Sequence, residues 1–540
     1  MSGPCLFEEN RDELDEIELN TKIYEFLGVH REGNCYVFRT YQPNAVEVEL
    51  AGDFNSWSGW RMNNIGGGIW ELRRESEISL DGNCYKYRIY NEENCFLIPD
   101  PFARYAQWGN HDASIVYTDK YEWGDEEWMA ARSKKASSPV NIYQLHLGSW
   151  KNQVGRHYSD GAPYLNYLDL AAELVGYISD MGYTHICIVD ITEKGKNVSF
   201  APTSRHGRPE GLKHLIDTLH RNNIGVMFES ECVILDQTVS DEMEMRLAVS
   251  SALYWICEFH ADGIYLSGAC DSRILETLRQ ECESAIIITE SGNSSDDNTL
   301  TLDKKWSENV LDYAESDPQY KRFKYPRLNR GLTESFGKNR ILAITYAELS
   351  QGKSSLLSKM RGDYAERFAR LRLFFCYMMT HPGKKLLFMG CEFGENTEWR
   401  RDESLQWFLL EQESHKMLKT FVKKLNFMYR ECPAMWENDF SWRGFKWIQP
   451  LEEQNGILAF ERISSSGDVV IAALNFTDNR EREVTINYAF EQMEIVLNSD
   501  SREFGGKGRG RIKKAKEQAV IVVPPLSAVV VKKGKNIRNF

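Results

Sequence analysis

Three short stretches put acidic or hydroxyl side chains where a catalytic centre could form. "FESECVIL" sets Glu229 and Glu231 two residues apart. In a strand, whose side chains alternate with period two, both lie on one face. Closely placed carboxylates raise each other's pKa and can divide the work of acid and base. "IIITESGN" ends an apolar run on Glu290. "DGIYLSGAC" ends a similar run on Ser267, but no histidine stands next to it, and a serine without an adjacent base is a weak nucleophile.

These stretches belong to a longer series of short apolar strands alternating with amphipathic helices. From residue 141, "NIYQLH", "HICIVD", "GVMFESE", "DGIYLSG", "AIIITES", a blurred sixth unit around Trp306, "RILAITYAE" and "KKLLFMG" follow one another with helical patterns between them. Eight such units in order predict a (β/α)8 barrel over 141–430, whose sites form at the C-terminal ends of the strands. In the first helix, "YLDLAAELVGYISDMG", the spacing of Leu168, Ala172, Val175 and Ile178 predicts a buried face. His146 and His185 flank the first two strands and read as satisfied barrel histidines rather than metal ligands.

Residues 22–118 alternate in the strand period and are broken by "SWSG", "GGG" and "NEEN", which predicts an antiparallel β-sandwich. A short helix and polar linker over 119–140 join it to the barrel, and 431–540 returns to strand alternation as a second sandwich. The first 21 residues form an acidic leader with no signal-peptide pattern.

The composition is 42% hydrophobic and 27% charged, that of a globular protein, and the net charge is −14. Nucleic acid and anionic membranes both require a basic face, so neither is an expected partner. The 12 cysteines are scattered singly without a C-x-x-C pair and read as reduced thiols in a cytoplasmic protein. No metal or cofactor site is expected.

The order of the motifs resembles the bacterial glycogen branching enzymes of the α-amylase superfamily. "GDFNSW" and "GGGIWEL" are similar to that family's N-terminal carbohydrate-binding-type module, and "NIYQLHLGSW", "MGYTHI", "FAPTSRHGRPE" and "NNIGVM" to its first barrel units. "KSSLLSKM", "LRLFFCYMMTHPGKKLLFMGCEFG" and "EWRRDESLQWFLL" resemble its seventh and eighth units, and "VLNSDSREFGG" with "VVPPLSAVVV" its C-terminal sandwich. The resemblance implies a retaining reaction that cuts an α-1,4 chain and re-attaches it in α-1,6 linkage. Such a reaction uses a carboxylate nucleophile and a carboxylic acid on either side of the bond.

Matched position by position, the resemblance implies that Glu290 stands at the general-acid position, while Ser267 replaces the nucleophile and Tyr265 the arginine beside it. Tyr346 and Ala347 replace a histidine and the third acid, Glu348 is kept, Gln351 replaces a second histidine, and Glu229 and Ile234 occupy the strand-three positions. The loops after strands two, three and four are also shorter than the family's. The expectation is a catalytically inactive relative that binds α-glucan weakly, or binds a protein of glycogen metabolism. The alternative is residual or altered branching or hydrolysis by Glu290 with Glu229 or Glu231. Trp57 and Trp70 are the candidate stacking platforms for glucan, although Trp70, alternating with its apolar neighbours, is equally suited to a core.

Overall fold

The computed structural model describes residues 21–534 apart from 110–111, 133–137, 153–163, 194–199, 232–240, 269, 291–297, 335 and 516; for Glu231 and Asp241 only the backbone is described. Eight parallel strands form a closed barrel. They are β1 (Asn141–Leu145), β2 (His185–Ile188), β3 (Gly225–Glu231), β4 (Gly263–Ser267), β5 (Ile286–Thr289), β6 (Thr299–Leu302), β7 (Arg340–Ile344) and β8 (Lys384–Phe388). β8 returns to β1 in the register Ile142 to Leu386, which closes the ring.

Parallel strands covered on both faces need apolar groups on both, and the strands are correspondingly rich in Ile and Leu. Alternate residues from every strand fill the interior, among them Ile142, Cys187, Met227, Tyr265, Ile288, Leu300, Ala343 and Leu386. Their neighbours along each strand, such as Ile186, Phe228, Ile264 and Ile287, pack outward against the helices.

The first barrel helix, Tyr167–Met181, is capped by the Asn166 side chain and ends on Gly182, whose φ of 75° suits glycine. Its buried face is Tyr167, Leu170, Ala171, Leu174, Val175, Ile178 and Met181. The predicted face is therefore rotated: Leu168 is 57% exposed, and Ala172 also faces solvent. Tyr167 and Met181, one at each end, set the direction of the stripe at i, i+4, i+7, i+11 and i+14, and Leu168 lies about 100° away from it.

The N-terminal module is a β-sandwich. Strands Gly28–Glu32, Cys35–Tyr41, Ile69–Glu75 and Asn63–Gly66 make one sheet, and Trp60–Arg61, Glu47–Gly52, Cys84–Tyr90, Cys95–Ile98 and Ser114–Ile115 make the other. Phe38, Val48, Leu50, Trp70, Tyr85 and Tyr87 pack between them.

The C-terminal domain also has two sheets, of five and three strands. In its strand Val469–Asn475 every residue is buried. Ile471 and Ala473 face the smaller sheet, while Val470, Ala472 and Leu474 join the core of the barrel helices. This central strand therefore has no solvent face, and through it the domain is packed onto the barrel. Among the described residues no helix is long and apolar enough to cross a membrane.

Candidate functional site

Strand register brings the sequence candidates to the C-terminal mouth of the barrel. Glu229 of β3 pairs with Tyr265 of β4, and Tyr265 with Ile288 of β5. Glu290 stands one inward-facing position above Ile288, just past the end of β5. The backbone of Glu231 is level with Ser267, which is half-buried at the end of β4. The Glu231 side chain and Ile234 lie outside the described residues.

The Tyr265 phenol, 4% exposed, reaches up from the barrel interior and donates a 2.9 Å hydrogen bond to Glu290 Oε1. Lys304, the first residue of helix Lys304–Glu315 after β6, donates 2.9 Å to the other oxygen, Oε2. Both carboxylate oxygens of Glu290 are thereby engaged. Burial alone would raise the pKa of Glu290. The hydrogen bonds from Lys304 and Tyr265, the Lys304 charge and the Gly268 backbone N–H outweigh burial and hold it below the ordinary value. A general acid must keep its proton near neutral pH, which requires a shift in the opposite direction. Tyr265 itself is pushed up by burial and then by the Glu290 and Glu229 carboxylates, so it stays a neutral donor.

A second phenol meets the second carboxylate. Tyr346 donates 2.9 Å to Glu229 Oε1, and its ring packs 5.6 Å from Trp399. Tyr346 begins a short 3-10 turn, Tyr346–Glu348, that follows β7. Glu348 is consumed in capping this turn, accepting from the Thr345 N–H at 2.8 Å and the Thr345 hydroxyl at 2.7 Å. Ala347 presents an exposed methyl, and its carbonyl accepts from Lys353 Nζ at 2.7 Å.

Beside Glu290 opens a pocket of about 310 Å³, bounded by Tyr265, Glu290, Lys304, Glu308, Ala347 and Lys353 among others. Tyr265 is its only aromatic wall among the described residues, and its buried ring gives no flat platform for a sugar. The chemistry this wall offers is ionic and hydrogen-bonding.

The other candidates have ordinary partners. His146 meets the Ser149 hydroxyl at 2.9 Å and Asp190 at 3.5 Å, and His185 meets the Thr184 hydroxyl at 2.8 Å. No group of His, Cys, Asp or Glu that could hold a metal occurs among the described residues. Trp70 is 5% exposed, lies in the core of the N-terminal sandwich and donates to the Gln42 carbonyl at 3.1 Å. It is therefore no stacking platform; its alternation with apolar neighbours marked core. Trp57 is half-buried on the turn after Gly52, with φ of 60°, and its indole N–H is tied to Asp53 at 3.0 Å. Sequence reasoning missed Lys304, although its place at the start of the helix after β6 was a signal. It also missed that the two tyrosines are the hydrogen-bond donors to the remaining acids.

Comparison with known proteins places this arrangement. Residues 26–103 match the family model for carbohydrate-binding module 48 (isoamylase N-terminal domain) and 447–534 that for the α-amylase C-terminal all-beta domain. The chain is 31% identical to the 1,4-alpha-glucan branching enzyme GlgB 2 of Clostridium perfringens strain SM101, with 94% of this chain and 92% of that one covered. It is also 31% identical to the GlgB of Aquifex aeolicus, covering 95% and 96%. That alignment runs over 614 positions although the chain has 540 residues, so the Aquifex protein carries internal segments with no counterpart here. In three dimensions the fold is shared with the group B streptococcal pullulanase SAP solved in complex with maltotetraose, at a TM-score of 0.74, 15% identity and coverage of 94% and 88%. It is shared equally with the catalytic module of the pneumococcal SpuA, at 0.73, 15%, and 97% and 100%. Over nearly its whole length, this chain belongs to the family of 1,4-α-glucan branching enzymes.

Proposed function

We propose that this chain is a cytoplasmic branching-enzyme relative that no longer transfers glycosyl groups and acts in α-glucan metabolism by binding. Its ligand is α-glucan, held weakly by the N-terminal module, or a protein of glycogen metabolism. The observation that carries this reading is the state of Glu290. A retaining mechanism needs an acid that keeps its proton and a carboxylate about 5 Å away as nucleophile. Here Glu290, at the position the resemblance implies for the acid, has its pKa held below the ordinary value, with both oxygens engaged by Lys304 and Tyr265. The matching nucleophile and third-acid positions carry Ser267 and Ala347. The relatives' extra internal segments agree with the shorter loops, since barrel enzymes build their clefts from such loops.

The rival reading is residual or altered branching or hydrolysis by Glu290 with Glu229 or Glu231. The phenols on Glu290 and Glu229 oppose the first pairing, and the Glu231 side chain lies outside the described residues. The test is incubation of the purified chain with amylose, followed by enzymatic debranching and chain-length analysis. An unchanged chain-length profile is expected. New α-1,6 branches would overturn the proposal, and new reducing ends that vanish in Glu290→Gln would establish the rival.

A further inference from the structure

Far from the mouth, in the seam between the barrel and the C-terminal domain, two cations are buried together. Lys321, at the end of the short helix Pro318–Lys321, is 5% exposed, and Arg370, within helix Tyr364–Thr380, is 7% exposed. Both line one opening whose remaining walls include Tyr313, Phe374, Tyr377 and, from the C-terminal domain, Phe476.

Neither cation has a carboxylate within ion-pair distance among the described residues. Lys321 Nζ makes one long contact, 3.3 Å to the Ala314 carbonyl, and sits 4.9 Å from the centre of the Tyr313 ring. Arg370 Nε is buried without any hydrogen-bond partner. Buried charges are normally paired, and an unpaired one carries a large desolvation cost. Two lining one apolar opening need a counter-charge that the described residues do not place within ion-pair distance.

The groups facing Lys321 confirm the deficit. Burial pulls its pKa down to about 7, and the charges of Arg370 and Arg361 pull the same way. Only Asp478, exposed on the C-terminal domain and beyond ion-pair distance, acts against them. Glu315, on the preceding helix, is paired with Lys359 at 2.7 Å. The opening measures about 30 Å³, room for a group of one or two water volumes and not for an organic body.

We infer that Lys321 and Arg370 form a binding site for one small monovalent anion, of chloride, nitrate or bicarbonate size, at the junction of barrel and C-terminal domain. The anion accepts from Arg370 Nε and from the Lys321 ammonium. Binding charges Lys321, so the site takes up a proton as it fills. With a pKa of about 7, Lys321 goes from mostly protonated at pH 6 to about one-tenth protonated at pH 8. Affinity therefore falls roughly tenfold over that range.

The test is thermal unfolding of the full chain in sodium nitrate against sodium isethionate, whose larger anion does not fit, at matched ionic strength and at pH 6 and pH 8. A ligand that binds only the folded state raises the midpoint with its concentration. The expected result is a higher midpoint in nitrate at pH 6, a much smaller difference at pH 8, and none in Lys321→Met. Equal midpoints in the two salts at pH 6, or the same difference in the variant, would overturn the inference. Should Lys321→Met fail to fold, crystals of the unchanged chain grown in sodium bromide decide the matter. An anomalous bromide peak between Lys321 and Arg370 supports the site, and its absence refutes it.

Discussion

The clamp beneath the barrel predicts a stability profile with an edge on each side. His220, near the end of helix Pro209–Arg221, has both ring nitrogens against carboxylates: Nδ1 is 2.7 Å from Asp125 and Nε2 is 3.0 Å from Asp262. Ionised carboxylates only accept, so both nitrogens must donate and the ring is an imidazolium. The His220 and Asp125 side chains are fully buried and Asp262 nearly so. Trp128 donates to Asp262 at 2.8 Å and stacks on the His220 ring, and His260 adds a contact of 3.0 Å to Asp125. The clamp ties helix Glu126–Ala131 to the bottom of β3 and β4.

His220→Ala leaves two buried carboxylates without their cation, and breaking such a pair costs roughly 3–5 kcal/mol. Burial would lower the pKa of His220, but its bonds to Asp125 and Asp262 raise it above 6.5. Its contribution is therefore complete below about pH 6.5 and is lost as pH rises through the folded value. Asp125 and Asp262 are displaced the other way: burial opposes, and the histidine bonds hold both below 3.8. Their contribution is present above about pH 4 and lost as pH falls through the folded values. Urea unfolding followed by tryptophan fluorescence should show the unchanged chain losing stability from pH 6.5 upward, whereas His220→Ala is weaker at pH 6 and flat across that alkaline edge. Identical urea midpoints for the two proteins at pH 6 would refute the charged-ring assignment.

At the mouth, Lys304→Met should cost less than about 1 kcal/mol at pH 7, because Lys304 is more than half exposed and solvent screens its pair. In chemical unfolding of the same pair of proteins the loss should shrink as pH falls below 4.5 and through the depressed pKa of Glu290. Trp70→Ala should lower stability by about 3–5 kcal/mol, the cost of emptying a large aromatic from a sandwich core; an unchanged urea midpoint would show that Trp70 does not pack as described. Trp57→Ala should leave the far-UV circular dichroism unchanged and abolish retention in a native gel cast with glycogen. Equal retention of parent and variant would move the glucan surface elsewhere and favour a protein partner.

The architecture was legible because burial imposes a period. Parallel strands such as "KKLLF" and "AIIIT" had to be apolar on both faces, and two-residue alternation separated the outer sandwiches from the barrel. What the period conveyed poorly was direction. The face read from Leu168 and Ala172 is rotated because both are apolar but solvent-facing, while Tyr167 and Met181, which do point inward, bracket the helix. The site was legible only as a set of replacements. A tyrosine at 265 reads as the loss of an arginine; its hydroxyl against Glu290, 25 residues on, is visible only after β4 and β5 are paired. Lys304 reaches the same carboxylate from the helix after β6, a contact between separate barrel units that no local pattern marks. The clamp was least legible of all. Asp125 lay in a stretch read as linker, and its partner His220 is 95 residues away, with Asp262 a further 42. No local pattern marks a contact whose reason is a shared buried charge. The clamp and the replaced mouth nevertheless belong together physically. At the lower end the clamp pairs His220 with two buried carboxylates, and at the upper end Glu290 and Glu229 each accept from a tyrosine. Each arrangement satisfies charge within the fold, at the two ends of a closed barrel.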